Sequence, residues 1–320
     1  MSISSSASSA PSSWILSEDY AGLRTQALGL AEAAGLLAPE IRVMVPRAPW
    51  RWISAGFWPA PLAALPPETL AGPRPDLVVA CGGMGGAVGA ALAKGGQRVV
   101  QVQHPRMNPG RFDLVVVNRH DNLTGPNVIV TRTALHRVTQ ARLAAEADIW
   151  RDRLAHLRRP LVAVLVGGSN GRFRLDAAAG AKLAGQLAEM VRRDRVGIIV
   201  TPSRRTDPAI TRMLSDVLTP LGGWVWDGTG ENPYFGMLAL ADAIVVTMDS
   251  VSMVSEAAAT HAPVLLAELP GSSRRIGLFN QGLINDGRVR PFQGKLEIWN
   301  TQPLDDTAEA GAEVRRRLGF

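Results

Sequence analysis

Asp249, Ser250, Ser252 and Glu256 stand at a spacing that suits an anionic ligand carrying a hydroxyl pair. They follow the apolar run Ala243–Thr247 and open a stretch with helical period. Asp249 or Ser250 can cap that helix. Its first-turn amides, around Ser250, Val251 and Ser252, and the positive end of its dipole then favour negative charge. Ser252 and Glu256 are four residues apart and share one helix face, while Val251, Val254 and Ala258 fall on another. A carboxylate one turn above a phosphate-binding helix start can accept hydrogen bonds from a ribose diol. The bland alternative is a capped helix with an exposed glutamate.

Two further segments follow apolar runs in the same half of the chain. After Leu161–Val166 come Gly167, Gly168, Ser169, Asn170, Gly171, Arg172 and, past Phe173, Arg174. Glycines allow a tight turn and close approach to an anion, and the polar side chains add donors and charge. No Gly-Lys-Ser/Thr follows, so this is not a P-loop. After Val196–Val200, Ser203, Arg204 and Arg205 would suit a phosphate, or form a solvated loop.

In the first half, Cys81–Gly86 follows a strand-like run and precedes a helical one, but Val88 stands where a dinucleotide fingerprint wants its third glycine. No acidic residue lies about 20 positions on, so neither a nicotinamide nor a flavin cofactor is expected. Glu18 and Asp19, after the first strand, and His104, after the fourth, are candidate general bases. His120, His136, His156 and His261 lack partners at metal-ligand spacing, and no nucleophile elbow occurs.

The elements that must position these residues alternate throughout: short apolar runs, then helix-period stretches. That pattern specifies parallel sheets covered by helices. The first series has strands at Trp14–Leu16, Ile41–Val45, Leu77–Ala80, Arg98–Val102, Leu114–Val117 and Val128–Val130, with a helix at Thr25–Leu37. The second has strands at Leu161–Val166, Val196–Val200, Trp224–Trp226, Ala243–Thr247 and Val264–Ala267. Asp176 caps one intervening helix, and Asn232-Pro233 starts another as cap and first residue. The expected fold is α/β, two Rossmann-like domains facing a cleft: 14–157, then 158–302, with a helix in 303–320 crossing back to the first domain. Residues 1–13 are Ser/Ala-rich, a tail without the basic start or apolar stretch of a secretory signal.

Composition narrows the partners. The net charge is +6, and lysine occurs only at Lys94, Lys182 and Lys295. Arginine's planar fork suits phosphate or carboxylate, although genomic bias alone would produce the same count. No basic run alternates with aromatics, so nucleic acid is not an expected partner. Cys81 is the sole cysteine, which excludes an internal disulfide and points to a reducing compartment. No apolar run reaches the ~20 residues of a membrane span. The stretch 46–67, with Trp50, Trp52, Phe57 and Trp58 among prolines, is either a loop folded over its own core or a surface for a protein or membrane. A cytoplasmic location, peripheral to the inner membrane, is the corresponding expectation.

Pro49–Leu65, Gln101–Val117, Gly125–Val138, Val162–Leu175, Thr201–Thr206, Trp226–Val264 and Arg290–Trp299 together resemble, in order and over nearly the full length, the mitochondrial fission protein family of plants and its bacterial members. The resemblance implies a GT-B-like fold; plant members are associated with recruiting a dynamin-type GTPase. Asp249–Ala258 also resembles the donor-binding helix of GT-B enzymes such as the N-acetylglucosaminyl transferase of peptidoglycan assembly. That likeness implies diphosphate contacts from Ser250, Val251, Ser252 and Gly167–Gly171, and a ribose contact from Glu256. In that enzyme a glycine-rich loop after the first strand carries the base; here the matching loop, Ala21-Gly22-Leu23, lacks one. The expectation is a glycosyltransferase-like protein that needs no metal or other cofactor. It would take a nucleotide-diphosphate sugar and pass it to an unidentified acceptor held by the N-terminal domain. A non-catalytic scaffold and a nucleotide-sugar epimerase stand as alternatives.

Overall fold

A computed structural model describes residues 11–320; the first ten residues of the expected tail lie outside the described residues. The chain divides into two compact units, Met1–Arg137 with Asp306–Phe320, and Val138–Asp305. The division falls before the expected boundary near Leu157, and a helix preceding the second sheet belongs to the second unit.

Unit 1 contains β1 (Ser13–Ser17), α1 (Ala21–Ala33), β2 (Glu40–Val43), β3 (Leu77–Cys81), α2 (Gly82–Lys94), β4 (Val99–Val102), β5 (Leu114–Asn118) and β6 (Val128–Thr131). All pair in parallel, in the order β2-β1-β3-β4-β5-β6. β1, β3, β4 and β5 are buried along their whole length, which is why they read as unbroken apolar runs. β1 reaches further back than expected: Ser13 begins it, and Ser12 Oγ donates to Asp76 Oδ2 at 2.8 Å.

Two local expectations are corrected. Ala21-Gly22-Leu23 is not a loop but the first turn of α1, because the β1–α1 connection is only Glu18-Asp19-Tyr20. Likewise Gly82–Gly86 is the start of α2 itself. Its glycines let the helix lie against the sheet: a Cβ on Gly85 would sit 3.2 Å from the Ala80 carbonyl carbon.

Unit 2 contains α3 (Gln140–Leu154), β7 (Leu161–Val166), α4 (Ala177–Asp194), β8 (Gly197–Pro202), α5 (Pro208–Leu218), β9 (Trp224–Val225), α6 (Tyr234–Leu240), β10 (Ala243–Thr247), α7 (Val251–Ala258), β11 (Val264–Ala267), α8 (Arg274–Asn285) and β12 (Val289–Pro291). The parallel order is β12-β11-β10-β7-β8-β9. Its two faces bury separate aliphatic layers, Val162, Val164 and Val245 on one, Ala163, Leu165 and Val246 on the other. Asp176 caps α4 as expected, accepting from the Ala179 amide at 2.9 Å. At α6 the start is one residue later than expected: Pro233 holds the cap position, and Asn232 Oδ1 accepts from the Tyr234 amide at 2.9 Å. β12 and α8 add to the expected series; β12 is a short edge strand with only Val289 buried and so lacks a long apolar run.

The last helix, α9 (Asp306–Leu318), returns to unit 1, packing on α1 and β6. Asp306 fastens it, accepting from Arg132 Nε at 2.9 Å and from the Thr133 amide at 3.0 Å.

Candidate functional site

In unit 2 the chain leaves β7 toward β8 on one side and later returns to β10 on the other. The β7/β10 boundary is therefore a topological switch point, where loops part and leave a crevice beyond the strand ends. Gly167–Arg174 follows β7, and Met248–Ser250 follows β10. Ser203–Arg205 follows the adjacent β8.

These loops are tied by Asp249, which is 3% exposed. Its carboxylate accepts from Thr247 Oγ1 at 2.7 Å, the Gly168 amide at 3.2 Å and Arg205 Nη2 at 2.9 Å. Arg205 Nη1 also donates to Gly168 O at 3.1 Å, and the Gly167 amide donates to Thr247 Oγ1 at 2.7 Å. The double glycine is required by this packing. A Cβ on Gly167 would lie 2.2 Å from Asp249 Oδ1, and one on Gly168 2.2 Å from Arg205 O. Of the two capping candidates, Ser250 caps α7, accepting from the Met253 amide at 3.4 Å. Asp249 is instead an internal tie.

The expected anion-binding groups divide accordingly. Ser250, Val251 and Ser252 are half-buried at the α7 start. Arg172 and Arg204 are exposed. Ser169 Oγ accepts from the Leu175 amide at 2.9 Å, and Asn170 Oδ1 from the Arg172 and Phe173 amides, so both acceptors shape their own loop. Ser203 Oγ accepts from the Arg205 amide at 3.2 Å.

Glu256 is not the exposed glutamate of the bland reading: it is 8% exposed. The Tyr234 hydroxyl, at the start of α6, donates to its Oε2. Burial raises the Glu256 carboxyl to about 7, against the opposing pull of the Tyr234 hydrogen bond and the Arg142 charge. Burial and the neighbouring carboxylate push the Tyr234 hydroxyl well above its ordinary value. Arg142, in the first turn of α3, lies over the Phe235 ring at 3.6 Å.

In unit 1 the switch point is between β1 and β3. Glu18 Oε1 accepts there from the Met84 amide, in the first turn of α2, at 3.2 Å. Asp19 is exposed and pairs with Arg24 at 3.1 Å. His104 Nδ1 accepts from the Arg106 amide at 2.8 Å, leaving Nε2 as its other ring nitrogen.

The amino-acid sequence of this chain is matched along residues 21–318 by a model of the mitochondrial fission ELM1 family. The chain belongs to that family. The mitochondrial fission protein ELM1 of Arabidopsis thaliana is 34% identical over 277 residues, covering 76% of this chain and 64% of its own length. An uncharacterised Rickettsia prowazekii protein is 24% identical over 286 residues, covering 76% of this chain and 80% of its own. Among solved structures, the chain resembles the UDP-GlcNAc 2-epimerase of Methanocaldococcus jannaschii in complex with UDP-GlcNAc and UDP. The TM-score is 0.54 at 12% identity, covering 96% of this chain and 99% of that one. It also resembles the glycosyltransferase SnogD of Streptomyces nogalater, with TM-score 0.53, 16% identity and coverage of 97% and 95%. The fold is GT-B-like.

Several residues at this switch point could not be recognised from local spacing. The ion pair of Asp249 with Arg205 joins positions 44 residues apart, and Thr247 Oγ1 accepts from the Gly167 amide 80 residues away. Tyr234 carried a weak signal as the first residue after an Asn-Pro helix start. Asn280 of α8 donates to Met248 O at 3.1 Å at the end of β10. Among the described residues, no group of three or more His, Cys, Asp and Glu is arranged to hold a metal ion. None of their helices is long and apolar enough to cross a membrane.

Proposed function

We propose that unit 2 binds a nucleotide-diphosphate sugar at its switch point, as a GT-B-type glycosyltransferase-like protein. The observation that carries this reading is the α7 start, held by Ser250 beside the loop that Asp249 and Arg205 brace. The amides of Val251 and Ser252, with Arg172 and Arg204, would meet the diphosphate. Gly167 and Gly168 would act by holding the crevice open, since their amides are engaged within the protein. Glu256, oriented by Tyr234, would receive the ribose hydroxyls. The UDP-bound epimerase of like fold supports this ligand class. Transfer would need a base from unit 1, with Glu18, Asp19 or His104 as candidates, and no metal or other cofactor. Leaving-group charge would be met by the arginines and the helix dipole.

A binding or scaffold role without turnover is favoured by one specific finding: Glu18 and Asp19 are both engaged, by the Met84 amide and Arg24. Calorimetric titration with UDP-, GDP- and CDP-sugars tests the proposal. One of them should bind, and Glu256→Ala should weaken it by about tenfold, as loss of a buried hydrogen-bonding partner would. No binding by the wild type would remove the transferase and epimerase readings. Equal binding by the variant would remove Glu256 from the site. Sugar release from a bound donor, measured with cell-envelope acceptors, separates turnover from binding alone.

A further inference from the structure

The Trp/Pro-rich stretch of unit 1 is a built surface. It runs through short 3₁₀ turns at Trp50–Trp52, Ala55–Phe57 and Leu62–Ala64. Trp58, 6% exposed, pins it from beneath: its indole N–H donates to Trp50 O at 3.2 Å and Ile53 O at 3.0 Å. The Arg47 amide closes the base on Ala64 O at 2.8 Å. The stretch thus closes into an arch, and residues of the arch and of α2 line one cavity.

That cavity measures about 630 Å³, within the range of small-molecule sites. It is lined by Trp58 and Pro59 of the arch, by Ala87, Ala90 and Ala91 of α2, and by Met107. Two ionisable groups line it, Lys94 and Arg111, both cations. Both are exposed, and neither has an ion-pair partner among the described residues. Beside the cavity the arch presents Trp52 at 68% and Phe57 at 80% exposure, with Arg51 stacked on Trp52 at 4.4 Å. Large apolar rings in water are costly, and clustering them on a rigid support suits insertion into an apolar phase. Arginine and lysine around such rings suit the charged boundary of that phase.

We propose that the arch and its cavity bind an anionic phospholipid at a membrane surface. One acyl chain would enter between the arch and α2, the phosphate would meet Lys94 and Arg111, and Trp52 and Phe57 would enter the bilayer interface. The charge argues for an anionic occupant, because no carboxylate lines the cavity. The alanine, proline, tryptophan and methionine side chains of the lining suit an acyl chain beside those two cations. This inference does not rest on the nucleotide-sugar reading.

Flotation of the full chain with vesicles tests it. The protein should rise with mixed phosphatidylglycerol/phosphatidylcholine vesicles and stay behind with phosphatidylcholine alone. Lys94→Gln and Arg111→Gln should each weaken binding by about fivefold. Ala90→Phe, which fills the cavity but spares every exposed ring and cation, should also weaken it. Trp52→Ser/Phe57→Ser alters only exposed side chains, so it keeps the test valid if Ala90→Phe misfolds, and it too should lose flotation. Failure of the wild type to float would overturn the proposal. Equal flotation with both vesicle types would overturn the headgroup role, and undiminished binding by a folded Ala90→Phe would overturn the cavity as the chain site.

Discussion

Replacing Asp249 by alanine removes the tie between three loops of unit 2. The structure sets the scale of the loss. The Gly168 amide is buried and would lose its acceptor, a cost of about 1–3 kcal/mol. Thr247 would lose an acceptor for its hydroxyl, about 1 kcal/mol. The Arg205 bond is charge-assisted, but its side chain is 40% exposed and water would recover much of it, leaving about 1 kcal/mol. These contributions share one carboxylate and are not additive, so the expected destabilisation is about 3 kcal/mol. For a unit of this size that lowers the melting temperature by about 6–12 °C. Asp249→Asn keeps the shape and one acceptor oxygen and should cost about half as much. Scanning calorimetry measures both, and hydrogen exchange at the Gly167 and Gly168 amides localises the change. If Asp249→Ala melts with the wild type, or exchange at those amides is unaltered, the carboxylate does not brace the loops.

Glu256 predicts a pH dependence of stability. Its carboxyl titrates at about 7 when folded, against an ordinary 4.5, so between those values the native state holds a proton that the unfolded chain has released. Stability contributed by the protonated form is therefore complete below about pH 4.5 and is lost as pH rises through 7, by about 3 kcal/mol. Glu256→Gln should be indifferent to that range, and denaturant melts across it that show parallel curves would refute the assignment. Arg288, 4% exposed, donates to the carbonyls of Ala257, Ala258, Thr260 and Ala262 at the end of α7. Arg288→Met should cost about 3 kcal/mol or more by urea unfolding, and Arg288→Lys should not rescue it, because an ammonium lacks the fork that reaches all four. Gly236→Ala would drive a methyl to 2.3 Å from Trp150 Cγ, where α6 meets α3, and should lower the melting temperature. Gly171→Ala meets nothing within 4 Å and should leave it unchanged within error.

The alternation of apolar runs and helical stretches was sufficient to define two parallel sheets, because strands buried on both faces must be apolar without interruption. Local spacing also located the α7 start and the glycine loop after β7, since a helix cap and a strand end are events of a few residues. The state of each site carboxylate was not local. Asp249 could cap a helix by sequence, yet the order β10-β7-β8 brings Thr247, Gly168 and Arg205 around it and turns it inward. Glu256 reads as a surface glutamate until α6 lays Tyr234 over it, and burial then moves its proton affinity toward neutrality. The Trp/Pro stretch shows the same division. Its aromatic content was plain, but only the folded arch separates Trp58, spent on holding the backbone, from Trp52 and Phe57, which face water. Composition and period determine which segments become strands and helices; which polar or aromatic groups remain open to a ligand is decided when strand order brings distant partners within hydrogen-bonding reach.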